Sequence, residues 1–401
     1  MEERPTNGGL ALMQASTTTA VQDFRESSGR ILRIDPLMLV ATIGLIAASI
    51  YIVGTATQDD RADPNYYTYR QAAYANAGFV LMLLMTRFDY SRLREWKLGI
   101  YAVLIGSILL VYALGVSARG SKRAISLPFF SFQPSELGKV LLIVALAAFM
   151  VDRFRRLNDR ETTSRLVLLA VIPAMLVIGQ PDLGSGLVYL AILVAIMFIA
   201  GTPWTHFAAL GGLAAVAIVV VLVAAPAVGV EVLKPYQQDR LTAFLNPGEN
   251  QSREAYQVNQ SLTAIGSGGK TGRGDEATQT KLDFLPEHHT DFVFSVVGEE
   301  FGFVGAALVL SLFALLIWRA LRTLTIAKNF YGALVAGGIT AMLMFQVFVN
   351  VGMTIGIMPI TGIPLPLVSY GGSSVITTLM AIGLLQSIHA QARDTAAAKR
   401  L

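Results

Sequence analysis

The pattern of hydrophobic and polar positions divides the chain into long apolar runs joined by short polar segments. A helix that crosses a bilayer needs about 20 apolar residues, with a usual range of about 17–25. Ten runs meet this rule, at residues 36–57, 70–88, 97–117, 133–151, 166–180, 183–201, 206–229, 291–318, 330–352 and 372–390. The pattern therefore predicts an all-α polytopic membrane protein with ten transmembrane helices.

A long polar stretch, residues 236–300, lies between the seventh and eighth predicted helices. A connection of this length is usually either functional or disordered. Its aromatic and aliphatic residues, among them Phe244, Tyr256 and Ile265, argue against plain disorder. We therefore predict a large, partly ordered loop over residues 230–290, inside a transmembrane domain at 36–390. Polar tails are expected at residues 1–35 and 391–401.

Composition and charge agree with this interpretation and orient the chain. Hydrophobic residues make up 54% of the sequence and charged residues 14%, whereas soluble domains carry about 25% charged residues. There is no cysteine, which excludes thiolate metal sites and cysteine nucleophiles. With the N-terminus inside, the inner segments hold 19 basic residues and the short outer segments hold 5. This asymmetry predicts that both termini are cytoplasmic and that the loop lies outside, away from cytosolic ATP.

Ionisable residues inside the predicted helices are candidates for function, because they are expensive in lipid and usually face a cavity or a partner. The segment QPSELGK begins the fourth helix at Gln133 and includes Ser135. It places Glu136 and Lys139 three residues apart, on one helix face, where they can pair. The pair locks the bundle, faces the substrate, or does both. Asp182, in GQPDLGSG, lies either in a tight interhelical turn or in a polar cavity.

Asp291 stands at the entrance to the eighth predicted helix. It could be a helix cap, as could Thr290. It could also be a general base whose apolar surroundings raise its pKa toward neutrality. The same helix carries Glu300, which would need a cation or a hydrogen-bond donor at that depth.

The segment Gly356 to Ser374 contains three prolines, so no regular helix can run through it. Non-helical backbone at membrane depth occurs only when it is buried in protein or lines a water-filled cavity. The segment is therefore either a rigid re-entrant turn or part of a site, and its candidate binding residues are Ser369, Tyr370 and Ser373.

Two weaker patterns in the loop do not indicate a nucleotide site or a metal site. Residues 264–271, AIGSGGKT, resemble a phosphate-binding loop, but the strand and helix that such a loop requires are missing. Glu287, His288 and His289 match no zinc motif, because adjacent histidines do not share a helix face. We interpret these three residues as a solvated loop. We predict neither a protein metal site nor a nucleic-acid partner.

Six separated stretches, in order, resemble the SEDS family, named for shape, elongation, division and sporulation. They are FQPSELGK, GQPDLGSG, YQQDRLTAFLNP, YQVNQSLTAIGSGG, FLPEHHTDFVFSVVGEEFGFVG and GIPLPLVSYGGSS. Within the family, Met353 to Gly356 and Gly362 to Pro366 are similar to the elongation branch, RodA, rather than the division branch, FtsW.

The resemblance implies a ten-helix peptidoglycan glycosyltransferase in the bacterial inner membrane that polymerises lipid II during cell elongation. It implies that Asp291 matches the essential acidic residue of the loop, and that Glu136 and Lys139 line a cavity. The partners that it implies are a class B penicillin-binding protein, which would supply transpeptidation, and other proteins of the elongation complex.

We expect an inverting transfer in which Asp291 takes the proton of the acceptor 4-hydroxyl, by analogy with inverting glycosidases. The leaving pyrophosphate needs positive charge, and the candidates are Lys139, Lys122, Arg123 and Arg240. A divalent cation such as Mg or Mn is an alternative source of that charge. Two other functions stay open from the sequence: a lipid II flippase and a non-catalytic scaffold for cell-wall enzymes.

Overall fold

A computed structural model describes residues 34–57, 63–118, 121–126, 130–227, 235–245, 252–281, 284–285 and 287–398. Nearly all of the predicted N-terminal tail and the last residues of the C-terminal tail lie outside this part of the chain. The helices are α1 Pro36–Ala56, α2 Tyr66–Arg87, α3 Ser91–Glu95, α4 Lys97–Leu114, α5 Pro134–Asp152, α6 Arg160–Gly179, α7 Leu183–Ile199, α8 Trp204–Val219, α9 Ala225–Ala227, α10 Pro235–Leu245, α11 Arg253–Gly268, α12 Thr278–Lys281, α13 Val293–Ile326, α14 Phe330–Thr354 and α15 Gly372–Ala398.

The long helices confirm the predicted all-α membrane architecture. Eight of them are long and apolar enough to cross a membrane, and α7 is an apolar helix just below that length. The tenth, α2, has 22 residues and carries Arg70 and Gln71 near its start. Ten helices therefore correspond to the ten predicted spans.

Several boundaries differ from the prediction, because hydropathy marks the lipid core and not the ends of a helix. Helix α6 begins at Arg160, six residues before the predicted span, and its polar first turns include an ion pair between Glu161 and Arg165. Helix α13 continues to Ile326. Helix α4 ends at Leu114, and the chain then enters a three-stranded antiparallel sheet that the sequence did not predict. Its strands are β1 Val116–Ala118, β2 Ser121–Ser126 and β3 Ser131–Phe132.

Burial separates central helices from peripheral ones. Most of α5, α14 and α15 is buried. In the most apolar 18-residue stretch of each helix, 78%, 72% and 89% of the residues are buried, respectively. By contrast, none of the residues in the apolar stretch of α8 is buried. This helix continues into a π-helical turn, Val220–Ala224. A hydrogen-bonding contact of 2.7 Å between His206 and Thr163 links the beginning of α8 to α6.

The predicted loop contains helices α10, α11 and α12, and part of it packs firmly on the bundle. Ser252 caps α11 by accepting a hydrogen bond from the Ala255 amide at 3.2 Å. Ser261 of α11 lies 2.6 Å from the Ser295 hydroxyl of α13 and donates to the Thr354 carbonyl of α14 at 2.7 Å. We call the end of the bundle where α10, α11 and α12 lie the loop end.

The two adjacent glutamates of α13 are both buried and hydrogen-bonded. Glu299 accepts from the amides of Thr278, Gln279 and Thr280, at 2.8–3.0 Å, and from the Thr280 hydroxyl at 2.6 Å. It thereby caps α12 and ties the loop to α13. Glu300 accepts from the Thr55 hydroxyl of α1 at 2.6 Å, which confirms that it has a hydrogen-bond donor.

Candidate active site

A cavity of about 910 Å³ opens at the loop end, between the loop, the sheet and the ends of several long helices. Its walls combine carboxylates, arginines and aromatic rings. The residues that line it include Tyr67, Arg70, Tyr74, Arg123, Gln133, Glu136, Ser185, Arg240, Arg253, Glu254, Gln257, Glu287, His289, Asp291, Gly362, Tyr370 and Ser373. Six of the predicted site residues other than Asp291 thus border one cavity with it: Arg123, Gln133, Glu136, Arg240, Tyr370 and Ser373.

Asp291 reaches the cavity from a turn and not from a helix. The turn precedes α13, which begins at Val293. The N-cap residue of α13 is Phe292, and no side chain makes a capping hydrogen bond there. The capping interpretation of Thr290 and Asp291 is therefore wrong, because the chain is still in the turn at these positions. The Thr290 hydroxyl instead bonds within the turn, to Glu287.

The backbone of Asp291 is held by a buried amide from α14. The Asn350 Nδ2 atom donates to the Asp291 carbonyl at 2.9 Å and to the Ile363 carbonyl at 2.7 Å. Asn350 is fully buried. One side chain therefore fixes both the turn that carries Asp291 and the Pro-rich segment beside it.

The two preceding carbonyls are held by the end of the Pro-rich segment. The Tyr370 amide donates to the His289 carbonyl at 2.9 Å. The Ser369 hydroxyl donates to the Thr290 carbonyl at 2.5 Å and accepts from the Leu365 amide at 2.8 Å. Ser369 is buried and lies behind the cavity wall, whereas Tyr370 and Ser373 border the cavity.

Glu136 and Lys139 form the predicted ion pair, which confirms that they share a helix face. Their side chains meet at 2.6 Å, and 3% of Glu136 and 2% of Lys139 is exposed. Glu136 borders the cavity, while Lys139 lies behind it. The Lys139 ammonium therefore lies behind the Glu136 carboxylate, which is the member of the pair that borders the cavity.

Asp182 joins the starts of α7 and α5. Its carboxylate accepts from the Ser185 amide at 3.1 Å, which caps α7. It also accepts from the Gln133 amide group at 3.0 Å and from the Ser135 hydroxyl at 2.9 Å. Gly184 packs against the Pro-rich segment, since a Cβ there would lie 2.7 Å from the Thr361 carbonyl oxygen. Asp182 and Ser135 therefore lie beneath the wall that Gln133 presents.

Arg240 of α10 lies beside Asp291. A Cβ atom on Gly362 would lie 3.4 Å from Asp291 Oδ2 and 3.8 Å from Arg240 Nη2, so both side chains cover this glycine. Arg240 also donates to the Thr361 carbonyl at 3.3 Å. Arg123 of β2 borders the same cavity. The side chain of the neighbouring Lys122 lies outside the described part of the chain.

The comparisons with known proteins match this architecture along most of its length. The family model for FtsW, RodA and SpoVE, described as a cell cycle protein, matches residues 31–394. The chain belongs to the SEDS family. It is therefore a multi-pass membrane protein of a family in which some members are named as peptidoglycan glycosyltransferases.

Curated relatives include proteins of sporulation and of peptidoglycan synthesis. The chain is 35% identical over 375 residues to the stage V sporulation protein E of Bacillus subtilis, covering 92% of this chain and 99% of the relative. It is 34% identical over 357 residues to the peptidoglycan glycosyltransferase MrdB of Escherichia coli, covering 89% of this chain and 93% of MrdB.

Two solved structures support the same fold. A chain in a peptidoglycan synthase complex, described as coordinating polymerization and crosslinking, superimposes with a TM-score of 0.74 at 32% identity. That match covers 90% of this chain and 98% of the other. The rod shape-determining protein RodA of Thermus thermophilus gives a TM-score of 0.63 at 30% identity, covering 89% of this chain and 96% of the other.

Several cavity residues of this SEDS member were missed from the sequence. Arg70 is one of the five basic residues that the charge asymmetry assigns to short outer segments, and Tyr67, Tyr74 and Arg253 belong to no motif. A basic residue inside an otherwise membrane-spanning helix was the available signal for Arg70. The tyrosines could not be recognised, because aromatic residues at helix ends are common in membrane proteins.

The solvated-loop interpretation of the two histidines is wrong. His288 is buried, and its ring nitrogens lie 3.0 Å from the Leu285 carbonyl and 3.0 Å from the Ala56 carbonyl of α1. His289 borders the cavity. Within the described residues, no three His, Asp or Glu side chains are grouped as a metal site.

Proposed function

We propose that this SEDS protein polymerises lipid II into glycan strands, with Asp291 as the general base. The observation that carries the proposal is the placement of Asp291 in the cavity wall, on a turn whose backbone is hydrogen-bonded at three successive carbonyls. A catalytic base must be held in position relative to its substrate, because small misplacements lower the rate strongly. The names of the relatives support peptidoglycan as the product.

The reaction that fits one base is an inverting transfer. The 4-hydroxyl oxygen of lipid II N-acetylglucosamine attacks the anomeric carbon of the growing glycan. The bond between that carbon and the undecaprenyl pyrophosphate breaks, and Asp291 accepts the hydroxyl proton. The acceptor hydroxyl thus takes the place that water has in an inverting glycosidase.

Positive charge at the cavity would stabilise the departing pyrophosphate. Arg240 is the first candidate, because it lies beside Asp291 and borders the cavity, and Arg123 borders the cavity as well. We assign Lys139 a different role, since it is buried against Glu136. The Glu136–Lys139 pair would then present a carboxylate acceptor to substrate hydroxyl or amide groups, on a wall shared with Gln133 and stiffened by Ser135 and Asp182.

A divalent cation such as Mg or Mn would have to draw most of its ligands from the substrate. Mg²⁺ commonly binds through one or two carboxylates together with substrate phosphates. The carboxylates that could contribute one or two ligands are Asp291, Glu254 and Glu287, because all three border the cavity. They do not form a protein metal site by themselves in the described part of the chain.

We place the cavity on the outer face of the bacterial inner membrane, with both termini in the cytoplasm, on the strength of the asymmetry of basic residues. We propose a class B penicillin-binding protein as partner, supported by the similarity to a chain of a peptidoglycan synthase complex. An elongation role is supported by the RodA-like segments Met353–Gly356 and Gly362–Pro366. Depletion of the protein in its host tests that role: elongation predicts rounded cells, division predicts filaments, and sporulation predicts normal vegetative growth.

The direct test is polymerisation of lipid II by the purified full-length protein carrying Asp291→Asn. General base catalysis contributes about 10²–10⁴-fold, so we expect a loss of that size in the rate of polymerisation. Asp275→Asn is the matched control, because it makes the same chemical change at an exposed turn of the loop outside the cavity. Near-normal polymerisation by a folded Asp291→Asn variant would overturn the proposal.

The two alternatives make different predictions for the same variant. A flippase would still move lipid II across a liposome membrane after Asp291→Asn, and the wild-type protein would form no polymer. A scaffold would support cell growth with Asp291→Asn and with Glu136→Gln, as long as both variants still bind the partner.

A further inference from the structure

Four aromatic side chains form one wall of the cavity, and we call Tyr67, Tyr74, His289 and Tyr370 the aromatic wall. The Tyr370 ring lies 5.0 Å from Tyr67, 6.2 Å from Tyr74 and 5.8 Å from His289 between centroids. The rings of Tyr67 and His289 are 5.1 Å apart at 39°. All four side chains border the cavity and are only partly buried. Aromatic surface is therefore presented to a polar, water-accessible space.

Hydrogen bonds behind the rings join the segments that carry the wall, and the Tyr370 amide links two of them by donating to the His289 carbonyl. The Gln71 side chain donates to the Ser369 carbonyl at 3.3 Å and to the Ser49 hydroxyl at 2.8 Å. Ser49 in turn donates to the Val368 carbonyl at 2.8 Å. A Cβ on Gly372 would lie 3.2 Å from the Tyr74 ring, so the start of α15 packs directly on that ring. A ligand that contacts a preformed surface loses little affinity to ordering of the protein.

Polar groups at the edge of the wall complete a surface suited to a flat, amphipathic ligand. Arg70 donates from Nε to the Tyr74 hydroxyl at 3.1 Å and from Nη1 to the Tyr66 hydroxyl, and it borders the cavity. Burial, followed by the neighbouring Tyr74, raises the pKa of Tyr370. The Tyr370 hydroxyl therefore stays protonated and can donate as well as accept.

We propose that the aromatic wall is a glycan-binding subsite that holds the growing β-1,4-linked amino-sugar strand, with Arg70 at its edge. The negative face of an aromatic ring attracts the C–H groups of a sugar face, and the fork of N–H donors on Arg70 suits hydroxyl and carbonyl oxygens. This proposal rests on the proposed polymerase function and specifies where one of its two substrates lies.

The position of the wall favours the growing strand over the incoming monomer. His289 lies two residues before Asp291, so the wall begins next to the proposed site of reaction. From there it extends to Tyr67 in the first turn of α2 and to Tyr74 further along that helix. Only the growing strand carries sugars beyond the reacting one, and these need a surface that leads away from Asp291.

The test compares product length with the rate of the first coupling in full-length protein. We expect Tyr67→Leu to shorten the mean glycan strand by about 3- to 10-fold, from the strength of one aromatic contact. The rate of the first coupling between two lipid II molecules should fall by a smaller factor than the strand length, because a donor of one disaccharide has fewer sugars to place on the wall than a growing strand has. Tyr67→Phe keeps the ring and should restore wild-type strand length.

Phe154→Leu serves as the structural control. It removes a T-shaped aromatic pair with Phe330, 5.0 Å between centroids, that lies outside the cavity. This variant should make strands of normal length, and melting temperatures should show that all variants are folded. The proposal is overturned if folded Tyr67→Leu makes strands of wild-type length, or if Tyr67→Phe shortens them as much as Tyr67→Leu does.

A binding measurement separates this proposal from the proposed reaction. The probe is a β-1,4-linked tetramer of N-acetylglucosamine, added to the detergent-solubilised protein and followed by saturation-transfer NMR. Wild type and Asp291→Asn should bind it alike, and Tyr67→Leu should bind it about 3- to 10-fold more weakly. Binding by wild type without any polymerisation would refute the reaction and keep the subsite. Equal binding by wild type and Tyr67→Leu would refute the subsite even if polymerisation is normal.

Discussion

At the scale of single residues, Asn350 holds the turn that carries the candidate base. Its amide group donates to the carbonyls of Asp291 and Ile363 from a fully buried position. Buried side-chain donors that serve two acceptors are costly to replace, because both acceptors lose their partner at once. Asn350 is therefore a positioning residue for Asp291.

Asn350→Asp removes both donors with almost no change in shape and places an acceptor opposite two carbonyls. We expect kcat to fall by about 10- to 100-fold, since a displacement of about 1 Å can cost 10²-fold, while KM stays within about twofold. The measurement is the initial rate of lipid II polymerisation against substrate concentration.

Thr340→Val is the matched control on the same helix. Thr340 is also buried, but its hydroxyl donates only to the Ala336 carbonyl of its own helix, at 2.7 Å. It should leave kcat unchanged. A folded Asn350→Asp variant with wild-type kcat, or one that changes KM alone, would contradict the positioning role.

At the scale of elements, the loop is joined to α13 at a break in that helix. Gly302 has φ 61° and ψ −157° inside α13, a conformation that essentially only glycine adopts. A Cβ there would lie 2.3 Å from the Gly272 amide nitrogen. Around the break, the Phe303 and Val304 amides donate to the carbonyls of Gly269 and Lys270. Because α13 is interrupted at Gly302, these two amides bind the residues that follow α11.

Gly302→Ala should detach this part of the loop. We expect a loss of stability of about 1–3 kcal/mol from the backbone conformation, and more from the contact with Gly272. Lys270 and Arg273 are exposed at the junction, so trypsin should cleave there faster in the variant. Thermal unfolding and the rate of this cleavage measure the two effects.

Gly211→Ala on α8 makes the same change where a Cβ meets open space. It should alter neither the melting temperature nor the cleavage. If Gly302→Ala were cleaved no faster than Gly211→Ala, the junction would not depend on the break in α13.

At the scale of the whole molecule, three helices meet at a buried ion pair at the end opposite the loop. Asp35 precedes α1 and is fully buried. Its carboxylate pairs with Arg319 of α13 at 2.5–2.7 Å and caps α1 through the Leu37 and Met38 amides. Its backbone exchanges two hydrogen bonds with Gln386 of α15. The pair joins the beginning, middle and end of the transmembrane domain.

Asp35→Asn should lower the melting temperature strongly, because it leaves a buried guanidinium without its counter-charge. Removing one partner of a buried pair costs about 3–5 kcal/mol. Adding Arg319→Met should recover part of this loss, since the double variant has no buried charge to compensate. The coupling between Asp35 and Arg319 is obtained from the melting temperatures of both single variants and the double variant. If the stability losses of the two single variants simply add in the double variant, the pair is not coupled.

The helices and the local pairings follow from the amino-acid sequence alone. Ten apolar runs gave ten helices, because a bilayer requires each segment to satisfy its own backbone and hence to be helical. The Glu136–Lys139 pair followed from a spacing of three residues on one helix. These features depend on residues that are close together in the chain.

The surroundings of Asp291 depend on contacts between residues that are far apart in the chain. Its backbone partner Asn350 is 59 residues away, and Ser369 is 79 residues from Thr290, whose carbonyl it binds. Ser369 has a residue type that suits substrate binding, yet its hydroxyl is used inside the protein. The aromatic wall combines α2, the turn before α13 and the segment before α15. Hydropathy fixes where each helix lies along the chain, but side-chain packing between helices decides which faces meet, and no local pattern encodes that.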